Sequence, residues 1–283
     1  MVFSRRVYPP RPGCGRMLQV QVFARSPRVS EARVSESARH EVDALQRRLA
    51  ECQAEIHALQ LERATFAHGI SHDLRAPLRA IESFAALADA DATLAPATRS
   101  HVARVRAAAT RMGGLIDALL EFSRAGRAEL HEQQVDMGLL AEWSAAELRE
   151  AEPRREAVLE VEPGLHVLGD ERLLKLLMDQ LLGNAWKFSR DRDCVQVRVA
   201  GRRAGTRLQL AVRDGGCGFD MRYVDRMFQP FQRLHSPEQG AGHGLGLAIA
   251  QRIVERHGGR LHARALPEGG SEFGFDLAAA GDA

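Results

Sequence analysis

The stretch FAHGISHDLRAPLRAI, residues 66–81, combines a helical apolar pattern with a histidine on its polar side. Apolar side chains recur at helical spacing through it and beyond it, at Ile70, Leu74, Ile81, Phe84 and Ala88. At helical geometry His72 lies about 160° around the helix from both Ile70 and Leu74. The pattern therefore predicts a solvent-facing imidazole on a rigid helix, where a nucleophile can be reached from outside.

Two neighbours of His72 bear on its chemistry. The carboxylate of Asp73 can accept a hydrogen bond from one ring nitrogen, which makes the other nitrogen more nucleophilic. Pro77 removes the amide that would bond the carbonyl of Asp73, so the helix is weakened one turn past the histidine. Taken alone, an exposed histidine beside an aspartate is usually ordinary protein surface.

A second helical pattern follows a break at DADATLAP, residues 89–96. Its apolar side chains are Val102, Val105, Ala109, Met112, Ile116 and Leu119. Two helices joined by a short proline-containing turn predict an antiparallel hairpin over residues 66–128. One hairpin cannot bury both apolar faces, whereas two hairpins can form a four-helix bundle, so the pattern predicts a homodimer.

The segment upstream of the hairpin, residues 36–65, repeats apolar side chains in alternating steps of three and four. These are Val42, Leu45, Leu49, Cys52, Ile56 and Leu59. The narrow seam, which no Pro or Gly interrupts, favours a coiled-coil linker over a single amphipathic helix on a globular core. The first thirty residues contain six arginines and no acidic residue. We therefore expect residues 1–35 to form a disordered basic arm.

Residues 129–280 change to a mixed pattern. The β-like runs are VLEVEP, CVQVRVAG, RLQLAVRD and SEFGFDL, and the helical runs are GLLAEWSAAELREA, ERLLKLLMDQLLGNAWKF and LGLAIAQRIVERHG. Strands and helices in mixed order predict an α/β sandwich. The expected fold class of the whole chain is therefore α+β, with a coiled coil and helical hairpin before the sandwich.

Three segments of this sandwich hold candidate ligand-binding residues. They are Asn184 and Lys187 on a helix, Asp214, Gly216 and Gly218 after a strand, and Gly242, Gly244 and Gly246 before a helix. Glycines let the backbone approach a ligand, and a helix N-terminus attracts phosphate oxygens. Each segment alone is weak evidence, because a polar helix face, a turn or a glycine run is common. The glycine run is not a dinucleotide-binding fingerprint, since no βαβ unit surrounds it.

The box SHDLRAPLR closely resembles the phosphoacceptor box of sensor histidine kinases, in the variety common among phytochrome-like and PAS-linked kinases. DQLLGNAWKFS, DGGCGF, MFQPFQRL and GAGHGLGL resemble further boxes of that family, and all five occur in the family's order. The resemblance implies that His72 is the phosphorylated residue and that Asp73 is its acid/base partner. One departure is Ala76, where the family often has Thr or Asn, and this argues against strong phosphatase activity.

The resemblance also implies the cofactors, ATP and Mg²⁺, bound in a GHKL-type domain. Asn184 would coordinate Mg²⁺, Lys187 would reach the phosphates, and Asp214 would accept a hydrogen bond from the adenine amino group. The five glycines named above would surround the nucleotide. A two-component sensor histidine kinase would then phosphorylate itself on His72 and transfer the phosphoryl group to an aspartate of a response regulator receiver domain on another protein.

Two alternatives stay open at this point. A GHKL ATPase without phosphotransfer would release ADP and leave no phosphoprotein. A degenerate dimeric signalling scaffold would bind nucleotide weakly or not at all, although Asn184, Asp214 and the three glycines before the last helix argue against it.

Composition narrows the class of protein and its partners. The formal net charge is +2, so the chain has no need of a nucleic acid partner. No apolar run approaches the roughly 20 residues of a membrane span. The four cysteines lack metal-ligand spacing and are typical of reduced thiols in a cytoplasmic protein. No input domain is recognisable, so we expect the signal to come from a partner docked on the coiled coil, such as a separate sensor protein, or from a missing N-terminal region.

Overall fold

The computed structural model describes residues 43, 45, 47–49, 51, 74–90, 95–127, 129–233 and 242–281. The basic arm, most of the coiled coil, His72 and Asp73 lie outside these residues. The chain divides into two compact units, Met1–His57 and Ala58–Ala283. In the first unit the described residues are helical, and Leu45 and Leu49 are exposed, as the side chains of an uncovered heptad seam would be.

The second unit begins with the predicted helical hairpin. Helix α1 covers residues 74–89 and continues through Pro77, and helix α2 is Pro96–Ala125. Leu78 of α1 packs with Ala109 and Ile116 of α2 in a small buried cluster.

Ion pairs join both ends of this hairpin. Arg75 Nη2 donates to Asp117 Oδ1 at 2.5 Å, and Arg106 Nη1 donates to Asp89 Oδ2 at 2.8 Å. Both pairs are partly exposed, so their main effect is on register rather than on stability. Among the helices within the described residues, none combines the length and apolarity that a bilayer crossing requires.

Much of the predicted apolar face of the hairpin remains open within one chain. The exposed side chains are Leu74, Ile81, Phe84 and Leu87 on α1 and Val105, Met112 and Leu115 on α2. A contiguous apolar face of this kind is typical of a surface that another protein chain covers.

The sandwich follows the hairpin. Its elements are β1 Gln133–Asp136, α3 Met137–Ala151, β2 Glu156–Val161, β3 His166–Gly169, α4 Glu171–Phe188, β4 Cys194–Ala204, β5 Arg207–Asp214, α5 Gly246–Arg256, β6 Leu261–Ala265 and β7 Ser271–Ala278. The main sheet has the order β2-β4-β5-β7-β6; only the β2–β4 pairing is parallel. Strands β1 and β3 form a separate antiparallel pair. The expected α/β sandwich is thus present, with three short strands that the sequence patterns did not single out.

One face of the main sheet carries the core. Side chains alternate along β4 and β5, so that every second residue is buried beneath α3, α4 and α5. Helix α4 contributes the widest apolar stripe, namely Leu173, Leu174, Leu177, Met178, Leu181, Leu182, Ala185 and Trp186. The opposite face is polar, and there Glu272 pairs with both Arg213 and Arg264.

A buried carboxylate caps the start of α4. Asp170 is 1% exposed and caps the helix by accepting hydrogen bonds from the backbone N–H groups of Arg172 and Leu173. Its other oxygen accepts from Arg172 Nη2 and from the N–H of His131, both at 3.0 Å. Asp170 therefore joins the segment that leaves the hairpin to the first turn of α4.

The charge of Asp170 stabilises this junction. Burial alone would raise the pKa of the carboxyl, but the hydrogen bonds from Arg172, His131 and Leu173 outweigh burial and lower the pKa to about 2. A carboxyl whose pKa is lowered in the folded state contributes stability above its ordinary pKa of 3.8. That contribution is lost as the pH falls through about 2.

Replacing Asp170 by alanine should lower the free energy of unfolding by about 3 kcal/mol, because a helix cap and two further hydrogen bonds to a buried charge are lost together. Asp136 is the matched control, since its partners in the described part of the chain are the N–H groups of Gly138 and Leu139, which it caps at the start of α3. Asp136→Ala should cost only about 1 kcal/mol. Urea unfolding of both variants at neutral pH measures the difference, and equal losses would contradict the role given to the junction.

Candidate functional site

A cavity of about 300 Å³ lies between α4, the end of β5 and the start of α5. Seven of the predicted site residues line it: Asn184, Lys187, Asp214, Gly218, Gly242, Gly244 and Gly246. Gly216 does not line the cavity, but its backbone N–H donates a hydrogen bond to Asp214 Oδ1 at 2.9 Å. The fold thus gathers one group from three segments that are far apart in the sequence.

Helix α4 supplies two of these side chains because it is polar on the side next to its buried stripe. Asn184 and Lys187 are three residues apart, so both project into the same cavity. The Asn184 side-chain nitrogen Nδ2 is buried and has no hydrogen-bond partner within the described part of the chain. A buried amide left unpaired is costly, so this end of the cavity is suited to a polar or charged ligand.

Lys187 gives the cavity positive charge. Its Nζ lies 4.4 Å from the centre of the Phe188 ring. Burial first, and then the positive charges of Arg233 and Arg190, lower the pKa of Lys187. No carboxylate pairs with Lys187 among the residues that the structure describes. An anion placed beside the ammonium group would therefore be stabilised by it.

Asp214, the last residue of β5, also lines the cavity. It is in phase with Leu208, Leu210 and Val212, so its side chain points inward from the sheet and is only 6% exposed. Burial raises the pKa of Asp214 to about 6, although hydrogen bonds from the Gly216 N–H and from Ser271 act in the other direction. The carboxylate has no cationic partner among the residues that the structure describes, and it is placed to accept hydrogen bonds from a neutral donor in the cavity.

Two glycines are required by close backbone approach. A Cβ at Gly216 would lie 2.7 Å from the Phe188 carbonyl oxygen. Gly244 has φ of 71°, and a Cβ there would lie 2.6 Å from the Gln232 carbonyl oxygen. The Gly244 carbonyl accepts a hydrogen bond from the Phe231 N–H at 2.8 Å, which fixes the glycine segment against the preceding loop.

Several lining residues were not predicted as site residues. They are Ser271 of β7, His243 within the glycine segment, Asp179 and Gln180 of α4, and Ala118 and Glu121 of α2. Ser271 reaches Asp214 only because β5 and β7 pair in that register. His243 could have been predicted from its position between two of the predicted glycines. No pattern in the sequence shows that helix α2 lines the cavity, so Ala118 and Glu121 could not have been predicted.

The structure describes only part of the predicted phosphoacceptor box. His72 and Asp73 are outside the described residues, so their roles stay predictions. Ala76 is exposed on α1, and Arg75, three residues after His72, pairs with Asp117 of α2.

Two protein families match this chain in succession. Residues 62–128 match the His Kinase A (phospho-acceptor) domain, and residues 169–280 match the histidine kinase-, DNA gyrase B-, and HSP90-like ATPase. The first match covers the hairpin, and the second covers α4, the main-sheet strands from β4 onward and α5, which hold most of the cavity.

Individual relatives agree with both matches. Sensor histidine kinase TrcS of Mycobacterium tuberculosis is 35% identical over 211 residues, which are 72% of this chain and 41% of TrcS. Phytochrome-like protein Cph1 of Synechocystis is 28% identical over 227 residues, 78% of this chain and 30% of Cph1. The crystal structure of full-length ShkA in complex with AMPPNP superimposes with a TM-score of 0.57 at 28% identity, covering 76% of this chain and 46% of that one.

This chain spans less than half the length of each of those three proteins. The part that it does span holds a phosphoacceptor-type hairpin followed by an ATPase-type sandwich, in the order of those relatives. The chain therefore belongs to the sensor histidine kinase family.

Proposed function

We propose that this chain binds ATP in the cavity, phosphorylates itself on His72 and passes the phosphoryl group to an aspartate of a response regulator. The observation that carries the proposal is the convergence of Asn184, Lys187 and Asp214 on one cavity that α2 of the hairpin also lines. The proposed domain boundaries are residues 66–128 for the phosphoacceptor hairpin and 129–280 for the ATP-binding domain.

The nucleotide would lie with its base at Asp214 and its phosphates toward Lys187. The inward carboxylate of Asp214 is the acceptor that an adenine amino group requires. Lys187 and the glycine segment before α5 provide the positive end, because the N-terminal amides of α5 have no partners within the helix. AMPPNP in the related ShkA structure is consistent with this use of the fold.

The residues at the Asn184 end fit a magnesium ion. The buried side-chain amide of Asn184 has an unpaired nitrogen, and its oxygen is the ligand type that Mg²⁺ prefers. Bound with ATP, the ion would offset negative charge on the phosphates. Lys187 would hold the same phosphates from the protein side.

In the reaction, a ring nitrogen of His72 attacks the γ-phosphorus of ATP. A phosphorus–nitrogen bond forms, the bond to the β,γ-bridging oxygen breaks, and ADP leaves with the bonding electron pair. Asp73 would accept the proton that the imidazole gives up. A receiver-domain aspartate then takes the phosphoryl group, and His72 is regenerated.

The exposed apolar face of the hairpin supports a homodimer. Phe84 and Leu87 are 72% and 68% exposed on α1. A second hairpin would bury these side chains in a four-helix bundle, at about 25 cal/mol for each Å² of apolar surface removed from water.

Incubation with γ-labelled ATP and Mg²⁺ should label the protein, and a His72→Gln variant should carry no label. The label should survive base and be lost in acid, as a phosphorus–nitrogen bond is. Unlabelled protein with accumulating ADP would instead indicate an ATPase, and neither product would indicate a scaffold.

The affinity for ATP should depend on the charge of Asp214. The pKa of about 6 in the free fold lies above the ordinary 3.8, so the carboxyl is charged at pH 7 and protonated at pH 5. Because adenine needs the acceptor, the affinity should fall about tenfold from pH 7 to pH 5. The contribution of Asp214 to stability moves in the opposite direction, since a raised pKa costs stability that is regained as the pH falls through 6.

Calorimetric titration of wild type and Asp214→Asn separates this effect from protonation of ATP itself. The ratio of the two affinities should shrink by about tenfold between pH 7 and pH 5. A ratio that stays constant would show that the protonation of Asp214 does not limit adenine binding.

Charge on the apolar face of α1 should weaken the dimer. Phe84→Glu should raise the dissociation constant on the order of a hundredfold, since it removes apolar burial and places charge in the bundle core. Arg79→Glu is the control, because Arg79 is exposed and lies about 140° around the helix from Phe84. Light scattering across a dilution series gives both constants, and equal constants would contradict this interface.

A further inference from the structure

Helix α2 forms part of the wall of the cavity and is held there by the core of the sandwich. Its Ala118 and Glu121 line the cavity, and its last turn is part of the core of the sandwich, with Ala125 only 1% exposed. The guanidinium of Arg252 lies 4.7 Å from the centre of the Phe122 ring, and Arg256 Nη1 donates to the Ala125 carbonyl at 2.9 Å. A carboxylate on this part of α2 is therefore held beside the cavity by the fold.

Glu121 and Asp179 differ in how their charges are compensated. Asp179 Oδ1 accepts hydrogen bonds from Ser144 Oγ and Lys175 Nζ, both at 2.7 Å. Glu121 has no hydrogen bond or ion pair with any residue that the structure describes. Partial desolvation first, and then the charges of Asp117 and Asp179, raise the pKa of Glu121. The positive charge of Arg124 acts in the opposite direction but is the smallest of these influences. Glu121 thus adds negative charge, without an ion-pair partner among the described residues, to a cavity that Lys187 makes favourable for an anion.

The position of this charge is at the magnesium end. Glu121 lines the cavity together with Gln180 and Asn184, which are one turn apart on α4. A Cβ at Gly246 would lie 2.6 Å from Gln180 Oε1, so this part of α4 lies beside the start of α5. Asp179, the residue before Gln180, acts electrostatically on Glu121. Glu121 therefore faces the end where the proposed function places the phosphates and the ion.

We infer that Glu121 is a specificity-determining residue that makes the cavity prefer the magnesium complex of ATP over free ATP. The inference rests on the proposed function. Free ATP carries more negative charge than its magnesium complex, so a fixed carboxylate nearby repels free ATP more strongly. The bound cation would in turn be attracted by Glu121, and both effects act in the same direction.

The test compares nucleotide binding with and without magnesium. A non-hydrolysable ATP analogue is titrated into the full chain carrying His72→Gln, once with excess Mg²⁺ and once with EDTA. Glu121→Gln in the same background should reduce the preference for the magnesium complex on the order of tenfold, mainly through tighter binding in EDTA. Asp117→Asn is the matched control, because Asp117 is the other acidic residue of α2 and does not line the cavity.

The possible results distinguish the role of Glu121 from the kinase proposal. An unchanged preference in Glu121→Gln, or an equal change in Asp117→Asn, overturns the role of Glu121 and leaves the kinase proposal intact. A parent protein that binds no nucleotide in either buffer overturns the kinase proposal, and this inference with it. Glu121→Lys provides a second variant, and its reversed charge should lower the preference further than Gln does.

Discussion

The packing of helix α4 is the constraint on which the rest of the ATPase-type domain depends. One face of this helix is fully buried, with Leu174, Leu177 and Met178 at 0% exposure. The adjoining face carries Asn184 and Lys187 into the cavity. Because both faces belong to one rigid helix, the positions of the cavity-facing side chains follow from how the leucines pack against the sheet. The contacts that stabilise the domain therefore also set the geometry of the cavity.

Two buried aspartates show how differently the same side chain is used. Asp170 is surrounded by donors, including a guanidinium, and its charge holds the hairpin exit to α4. Asp214 is buried nearly as well, but its donors among the described residues are neutral, so its charged form is disfavoured in the free fold. Asp170 therefore contributes stability, whereas Asp214 gives up stability. In the proposed function, the adenine amino group would complete the hydrogen bonding of Asp214.

The hairpin and the sandwich are not independent modules in this chain. The last turn of α2 is buried with the sandwich core, while the preceding turns wall the cavity. A movement of α2 relative to α1 would therefore change the shape of the cavity, because packed interfaces resist gradual deformation. The ion pair between Arg75 and Asp117 extends this contact to α1, close in sequence to His72.

The sequence by itself determined the local features of this protein. The run ERLLKLLMDQLLGNAWKF coincides with α4, and Gly216 and Gly244 stand where the backbone approach leaves no room for a Cβ, because periodicity and turn geometry are encoded within a few residues. Strands β1, β3 and β6 escaped prediction, since four or five residues are too few for a pattern. Only the tertiary structure decided that Ser271 meets Asp214 and that Glu121 faces the cavity. Those contacts join segments remote in sequence, and burial, which sets the charge of each carboxyl, exists only once the chain has folded.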